Sequence, residues 1–411
     1  ACRIAEAITR ATHHLQSLSR EETDFLRSIR SLTLHKALEW SLLPPEKGGP
    51  FRRGPNRTLD ASLVIVDEAS MIDTGLMHAL IRALPAHASL LLLGDSDQLE
   101  SVEVGGILAD LMLRSKHSAL PQDRVTQITL RLGMQTSDVP QLTEASPSSC
   151  QDNQESLQFS GLAFGLKYSH RAMHAPWIIQ LASHFRPRTE TSMTSLVSLL
   201  ESHPTTALQW VYDKPSRHCL QHCRTQWHAW LEASGAWQAF NAETDPDKLV
   251  AALERLHVFQ LLCSTNAQVE RANKEGTALF WGPEPPVPSA IPHGCPILVH
   301  ANSYTLGLSN GDVGIAIAPA PHAPATLALF HTGEGRPRLI PLPQLPEHGP
   351  AFALTIHKSQ GSEWRHVAIE LPAKTGSSVL SKNLLYTAIT RSSGRLSLFG
   401  SHAVLMQVLQ S

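Results

Sequence analysis

A mixed α/β architecture on parallel sheets is the fold class this sequence predicts, and three observations predict it. Leu63-Val64-Ile65-Val66 and Leu90-Leu91-Leu92-Leu93 are short, wholly apolar runs, the pattern of strands buried on both faces of a parallel sheet. Residues 74–84 between them have helical periodicity, so strand, helix and strand succeed one another as a βαβ unit. Both runs stop at acidic residues, Asp67-Glu68 and Gly94-Asp95, and the carboxyl ends of parallel strands form the ligand crevice of such sheets.

The remaining elements follow in order. Ile4, Ala7, Ile8, Ala11 and Leu15 share one face of a predicted N-terminal helix, and a short helix is expected over 32–40. A Pro/Gly/Arg loop from Pro44 to Asn56 precedes the first strand. Residues 133–160 turn polar and rich in Ser, Gln and Thr, the composition of a linker. Helices are expected from Pro176 to Leu256, with Trp210, Trp227, Trp230 and Trp237 packing between them, and Val258–Leu262 as a buried strand. Six prolines between Pro283 and Pro296 oppose regular structure there. Short strands at 297–299, 313–317, 326–330 and 338–340 then suggest a small β-barrel, after which α/β pattern resumes at 352–355, 367–371 and 396–399. The expected domains are 1–132, a linker at 133–160, 161–293, a barrel insertion at 294–346 and a C-terminal part at 347–411.

Composition narrows the class. The 411 residues are 42 % hydrophobic and 17 % charged, enough apolar material for more than one core. Lys+Arg at 34 against Asp+Glu at 36 gives a formal net charge of −2 and excludes a polycation. That neutrality conceals asymmetry: eight acids against Arg82 alone in residues 61–110, between two basic stretches. Such an order suits a metal–phosphate site beside surfaces that meet nucleic acid. No run of apolar residues is long enough to span a bilayer and no basic-then-apolar leader is present. Six cysteines in so long a chain suit a reducing compartment, so a cytoplasmic location is expected.

Chemistry concentrates in four boxes. Asp67-Glu68-Ala69-Ser70 has the form of a Walker B turn: the first acid holds Mg²⁺, which keeps several waters and bridges phosphates. The second acid polarises the attacking water. Gln98, in Gly94-Asp95-Ser96-Asp97-Gln98-Leu99, offers donor and acceptor to a γ-phosphate without a fixed charge. Thr355 to Glu363 (Thr-Ile-His-Lys-Ser-Gln-Gly-Ser-Glu) sets a lysine, hydroxyls and a glycine turn after a strand, which suits phosphate or single-stranded nucleic acid. Tyr386-Thr387-Ala388-Ile389-Thr390-Arg391 puts an arginine at a helix end, in position for an arginine finger. The pairs His218-Cys219 and His222-Cys223 have helical i, i+4 spacing, but no second ligand pair accompanies them, which favours packing over zinc. Trp364 favours packing over base stacking.

These boxes, in this order, resemble motifs II, III, V and VI of superfamily 1 helicases, and the longer strings around them resemble the RecD-type family, the alpha subunit of exonuclease V. Thr33-Leu34-His35 and Leu306–Gly314 (Leu-Gly-Leu-Ser-Asn-Gly-Asp-Val-Gly) extend the likeness. The resemblance implies two RecA-like parallel-sheet lobes, the first incomplete, with a small SH3-like β-barrel inserted in the second. It implies ATP and Mg²⁺ as cofactors, Asp67 as the Mg²⁺ ligand, Glu68 as general base, and Gln98 as the γ-phosphate sensor. It implies Arg391 as the finger and Arg171, in His170-Arg171-Ala172, as the motif IV arginine, although relatives carry an aromatic–Arg–Phe there. Gly361 and Glu363 would lie against the nucleotide. Thr33, His35, Thr355, His357, Lys358 and Ser359 would face DNA or couple it to ATP. The implied activity is an ATP-dependent 5′→3′ DNA helicase with RecB- and RecC-like subunits, acting on single-stranded DNA and duplex ends in double-strand break repair and recombination.

One departure stands out. No Gly-x-x-x-x-Gly-Lys-Ser/Thr occurs in the 411 residues, and that loop supplies the amide cradle and lysine for the β- and γ-phosphates. Ala1-Cys2-Arg3-Ile4-Ala5 resembles the tail of the family's next box, so the expectation is a chain that lacks the Walker A segment and the N-terminal domain, needs that segment as a partner, and is inactive alone. Two alternatives are a truncated, catalytically inactive DNA- or partner-binding subunit and the helicase part of a conjugative relaxase.

Overall fold

The computed structural model describes residues 19–29, 31–41, 50–99, 106–114, 126, 130, 165–166, 175–187, 189, 191–202, 207–237, 240–241, 243–281, 290–303, 305–320, 323–331, 336–377 and 379–411. The predicted N-terminal helix, the whole of the 133–160 linker region and Arg171 lie outside them. Two compact units form, one within Leu34–Arg171 and the other from Ala1–Thr33 and Ala172–Ser411.

In the first unit the helices are α2 (Leu34–Ala37), α3 (Thr74–Ala83) and α4 (Ile107–Arg114), and the strands are β1 (Leu63–Val66) and β2 (Ser89–Leu92). The helix α1 (Arg20–Ser28) precedes them and starts at a capping box of Ser19 with Glu22. Asp73 caps α3, its carboxylate accepting from the Leu76 amide at 2.8 Å, and the helix then buries Met77, Leu80 and Ala83. β1 and β2 pair in parallel from Leu63↔Ser89 to Val66↔Leu92, as the βαβ pattern predicts. Burial on both faces does not follow. Val66 packs with Leu38, Ile72, Met77 and Leu80, whereas Leu63 and Ile65 remain 53 % exposed, Leu91 45 % and Leu93 44 %. The cause is that in the described residues the pair has one helix-covered face, so alternate side chains of each strand are left in solvent. The helix expected over 32–40 is likewise shorter, only Leu34–Ala37.

The second unit holds α5 (Pro176–Ser183), α6 (Met193–Ser202), β3 (Leu208–Val211), α7 (Pro215–Ser234), α8 (Pro246–Glu254), β4 (Phe259–Cys263) and α9 (Asn266–Trp281). Strands β5 (Pro296–Val299), β6 (Val313–Ile317), β7 (Leu327–His331), β8 (Pro337–Pro341), β9 (His348–Pro350), β10 (Ala353–Thr355), β11 (Trp364–Glu370) and β12 (Ser392–Phe399) follow, with α10 (Lys382–Ile389) and α11 (His402–Gln410). Five strands form a parallel sheet in the order β10-β4-β11-β12-β3. Here two-face burial holds: Leu261, Leu262 and Cys263 of β4 and Val367, Ala368 and Ile369 of β11 are fully buried. β3 interrupts the stretch expected to be wholly helical. Trp210 belongs to this strand and donates its indole N–H to Gly400 O at 3.0 Å.

The segment expected to be a barrel is a five-stranded antiparallel sheet in the order β8-β7-β6-β5-β9. Among the described residues no ladder joins its edge strands β8 and β9. Its strands begin at Pro296, one of the prolines expected to oppose regular structure. Trp227 and Trp237 are buried as expected, and Trp230 donates to Gly294 O at 2.7 Å. At the carboxyl end of β11, Glu370 is fully buried and paired with Arg271 of α9 at 2.6 Å, so its charge is not left unpartnered.

Candidate nucleotide and nucleic-acid site

In the first unit the chain leaves β1 at Asp67 and enters a 3₁₀ turn over Ala69–Met71. Asp67 is exposed, and one of its carboxylate oxygens accepts from the Glu68 amide at 2.9 Å. Glu68 has φ 53° and ψ 41°, a left-handed conformation that a side chain adopts at a cost of about 1–3 kcal/mol and that clusters at active sites. The Ala69 amide donates to Leu93 O at 2.8 Å, and Leu93 N donates to Val66 O at 2.8 Å, tying this turn to the end of β2.

Gly94 makes that closeness possible. A Cβ there would lie 3.1 Å from the Ala69 amide nitrogen, 3.2 Å from that of Ser70 and 2.7 Å from Leu108. The next turn is organised by Asp95, whose carboxylate accepts from the Asp97 amide at 3.0 Å and from the Gln98 side-chain amide at 3.2 Å. Gln98 is 9 % exposed. Asp67, Glu68, Asp95 and Gln98 are therefore gathered at the carboxyl ends of two adjacent parallel strands, where an α/β sheet presents its ligand crevice.

Whether this set fits Mg²⁺ and phosphate rests on two observations. Asp67 offers one exposed carboxylate, and Mg²⁺ is commonly bound through one or two carboxylates together with waters and phosphate oxygens. The Ser70 hydroxyl is buried without a hydrogen-bond partner, and such a group calls for one. The acidic half of a Mg²⁺–nucleotide site fits these residues.

In the second unit, β10 ends at Thr355 and a 3₁₀ turn covers His357–Ser359. The Thr355 hydroxyl accepts from the Lys358 amide at 3.3 Å. Lys358 projects to the surface and its ammonium lies 3.3 Å from His300 Nδ1. Burial, then the Lys358 charge, pushes the His300 imidazole below its usual range, and burial does the same to His357. Ser359 is fully buried and donates to Ile356 O at 2.7 Å, so its hydroxyl closes the turn. A groove of about 740 Å³ runs beside this turn, lined by Asn266, Glu270, Lys274, His300, Thr355 and Lys358. That volume accommodates a nucleotide.

Gly361 has φ +70°, a position that glycine occupies freely, and turns the chain into Ser362 and Glu363. The Glu363 carbonyl lies 3.2 Å from His257 Nδ1. Arg391, 1 % exposed, follows α10 and donates to Thr387 O at 3.3 Å and Ser362 O at 3.4 Å. The structure thus joins the Gly361–Glu363 turn to Arg391. Thr33 and His35 are exposed. Trp364 is buried and packs in the core. Cys219 and Cys223 are buried in the core, and their mutual hydrogen bond and burial hold the Cys219 thiol protonated, unlike a zinc ligand. The sequence alone assigned no role to Gly94, Ser70 or His300. Gly94 had a signal, a glycine between a buried strand and an acid; His300 had none, because only the folded chain brings it to Lys358.

An AAA domain family model matches residues 7–131, and a UvrD-like helicase C-terminal domain model matches residues 350–399. The chain is 27 % identical to RecBCD enzyme subunit RecD of Mycolicibacterium smegmatis, over 100 % of this chain and 62 % of that protein. It is 28 % identical to RecBCD enzyme subunit RecD of Mycobacterium tuberculosis, over 98 % of this chain and 59 % of that protein. The chain therefore spans about three-fifths of the length of these curated relatives. A solved structure of Bacteroides Pif1 bound to ssDNA is similar at 15 % identity with a TM-score of 0.45, covering 98 % of this chain and 88 % of that one.

Proposed function

We propose that this chain, related over nearly its whole length to RecD-type superfamily 1 helicases, carries the ATP-hydrolysing and strand-translocating machinery of a 5′→3′ DNA helicase subunit. On this reading it works in the cytoplasm within a RecBCD-like assembly, on single-stranded DNA and duplex ends, in double-strand break repair and recombination. The observation that carries the reading is the junction of the Asp67-Glu68 turn with the Asp95–Gln98 turn, held by Ala69 N–H to Leu93 O across Gly94.

The roles proposed are those that the motif resemblance implies. Asp67, exposed at the strand end, holds Mg²⁺, which supplies charge neutralisation on the phosphates. Glu68, fixed by its left-handed backbone, orients water and receives its proton. Gln98, anchored on Asp95, couples the occupied site to movement of its turn. Arg391 and Arg171 supply charge to the γ-phosphate, and Gly361 and Glu363 contact the nucleotide. Thr33, His35, Thr355, His357 and Lys358 contact DNA or relay its position, with Ser359 bracing the Lys358 turn. RecB- and RecC-like subunits are the partners.

The test is DNA-stimulated ATP hydrolysis by the protein carrying this sequence. Glu68→Gln is expected to lower it by about 10²-fold or more while DNA binding persists. A wild-type protein with no DNA-stimulated hydrolysis would sink the reading. A second reading, DNA or partner binding without catalysis, draws on the lack of Gly-x-x-x-x-Gly-Lys-Ser/Thr within these 411 residues. On either reading the 411-residue chain alone is expected to hydrolyse no ATP. Tight ATP binding by that chain alone would overturn the second reading.

A further inference from the structure

Three described residues other than glycine have positive φ: Glu39, Glu68 and Lys214. Glu68 lies in the acidic turn already described. Glu39 (φ 55°) belongs to no site assigned so far, and a strained residue persists where its surroundings over-determine it. Its surroundings do so by charge. The Glu39 carboxylate accepts from Arg53 Nε at 2.8 Å and pairs with Arg57 at 2.9 Å, so one acid fixes two guanidinium groups.

The backbone turn at Glu39 also sets the next residue. Trp40 N donates to His35 O at 2.8 Å and Trp40 bridges Phe51 in antiparallel register. On one side, Leu38 is fully buried and Phe51 packs partly into the core. On the other, Trp40 is left 48 % exposed, with the His35 ring edge-on to it at 6.4 Å and the Phe51 ring 5.9 Å from His35. Arg52, next to Phe51 in the chain, is exposed, and its amide donates to Glu39 O at 3.3 Å. A large aromatic open to solvent, with an exposed arginine close by in the fold of the turn, is the combination that binds single strands: a stacking face for a base and a cation for the phosphates. A protein partner's apolar surface would desolvate the exposed Arg52 guanidinium.

We infer that Trp40 is a base-stacking platform for single-stranded DNA, with Arg52 on the adjacent phosphate and Glu39 as the positioning residue that fixes the turn. The inference rests on the proposed function only in taking DNA as the strand.

Equilibrium binding without nucleotide, on the whole protein, tests it. The probes are an oligothymidylate and an abasic strand of equal length. Trp40→Ala is expected to weaken oligothymidylate binding about tenfold, the scale of one lost base–aromatic stack, and to leave abasic binding unchanged. Trp40→Phe should recover most of the loss. Arg52→Ala should weaken both strands and lower the salt slope by about one. Should Trp40→Ala fail to fold, photocrosslinking of 5-iododeoxyuridine DNA to the wild-type protein decides, with the adduct expected on Trp40. Equal loss on both strands, unchanged binding, or adducts only elsewhere would overturn the inference. None of these reads ATP hydrolysis, so a wild type without DNA-stimulated ATPase would remove the helicase reading and leave this result to stand by itself.

Discussion

At the scale of single residues, the missing Cβ of Gly94 does as much for the acidic site as the carboxylates do. A methyl group there meets two backbone nitrogens at 3.1 and 3.2 Å, which cannot move without parting the Asp67-Glu68 turn from β2. Gly94→Ala is expected to destabilise the protein by about 1–3 kcal/mol, the usual cost of overpacking, and to lower ATP turnover more than ATP affinity. Denaturant unfolding with steady-state kinetics checks both; an unchanged turnover would show the two turns to be independent. Arg391 poses a different problem, being 1 % exposed and bonded to Thr387 O and Ser362 O. If its charge serves the γ-phosphate, Arg391→Lys should cut turnover by about 10³ with little change in unfolding midpoint. A large fall in midpoint with turnover preserved would instead assign it to bracing the Ser362 turn.

At the scale of elements, β11 and β12 of the parallel sheet and the helix α7 enclose a titratable cluster with a calculable pH response. His366 on β11 is 5 % exposed and lies 3.0 Å from the Ser397 hydroxyl on β12. It faces His222 of α7 at a ring separation of 5.2 Å and Phe259 of β4 at 5.0 Å. Burial, then His222 and Arg395, pushes its pKa down to about 3; burial, then Arg395, also lowers that of His222. The folded chain therefore keeps His366 neutral where the unfolded chain, near its ordinary value of about 6.5, takes up a proton. Stability from this site is complete above about pH 6.5 and is lost as pH falls toward 3, at about 1.4 kcal/mol per pH unit. Urea unfolding of wild type and His366→Gln at pH 7.5 and 5.5 should show the variant losing about 1.4 kcal/mol less; equal losses would contradict the assignment.

Elements also show what the sequence alone makes legible. Apolar runs such as Val313–Ile317, bounded by turn residues, are strands because hydrophobicity is a local signal. β3 escapes that signal: Leu208 is buried, but Gln209, Trp210 and Val211 are only half-buried at the sheet edge, and helical sequence surrounds them. The motif strings single out Asp67, Glu68 and Gln98 as candidates, yet the hydrogen bonds that tie their turns together depend on register between β1 and β2. His300 and Lys358 lie 58 positions apart, and only the antiparallel sheet's packing brings them together.

At the scale of the whole molecule, the described residues of the two units form sheets of unequal size. One has a five-stranded parallel sheet with central strands closed on both faces; the other has, in its described residues, two parallel strands. A two-stranded sheet is marginal by itself, and Leu63, Ile65, Leu91 and Leu93 keep roughly half of their surface in water. Their row is contiguous because alternate residues of paired strands share a face. Two consequences follow for the 411-residue chain. Thermal unfolding should show two transitions, the lower one removing amide protection from residues 63–66 and 89–92 while 259–263 and 364–370 stay protected. The chain should also self-associate through the apolar row, and Ile65→Ser with Leu91→Ser should weaken that association without touching the acidic turns. Sedimentation at rising concentration, read beside hydrogen exchange, decides both. One cooperative transition with a concentration-independent monomer would mean that the exposed row is covered in solution, and that the first unit gets its stability from contacts other than its own two strands.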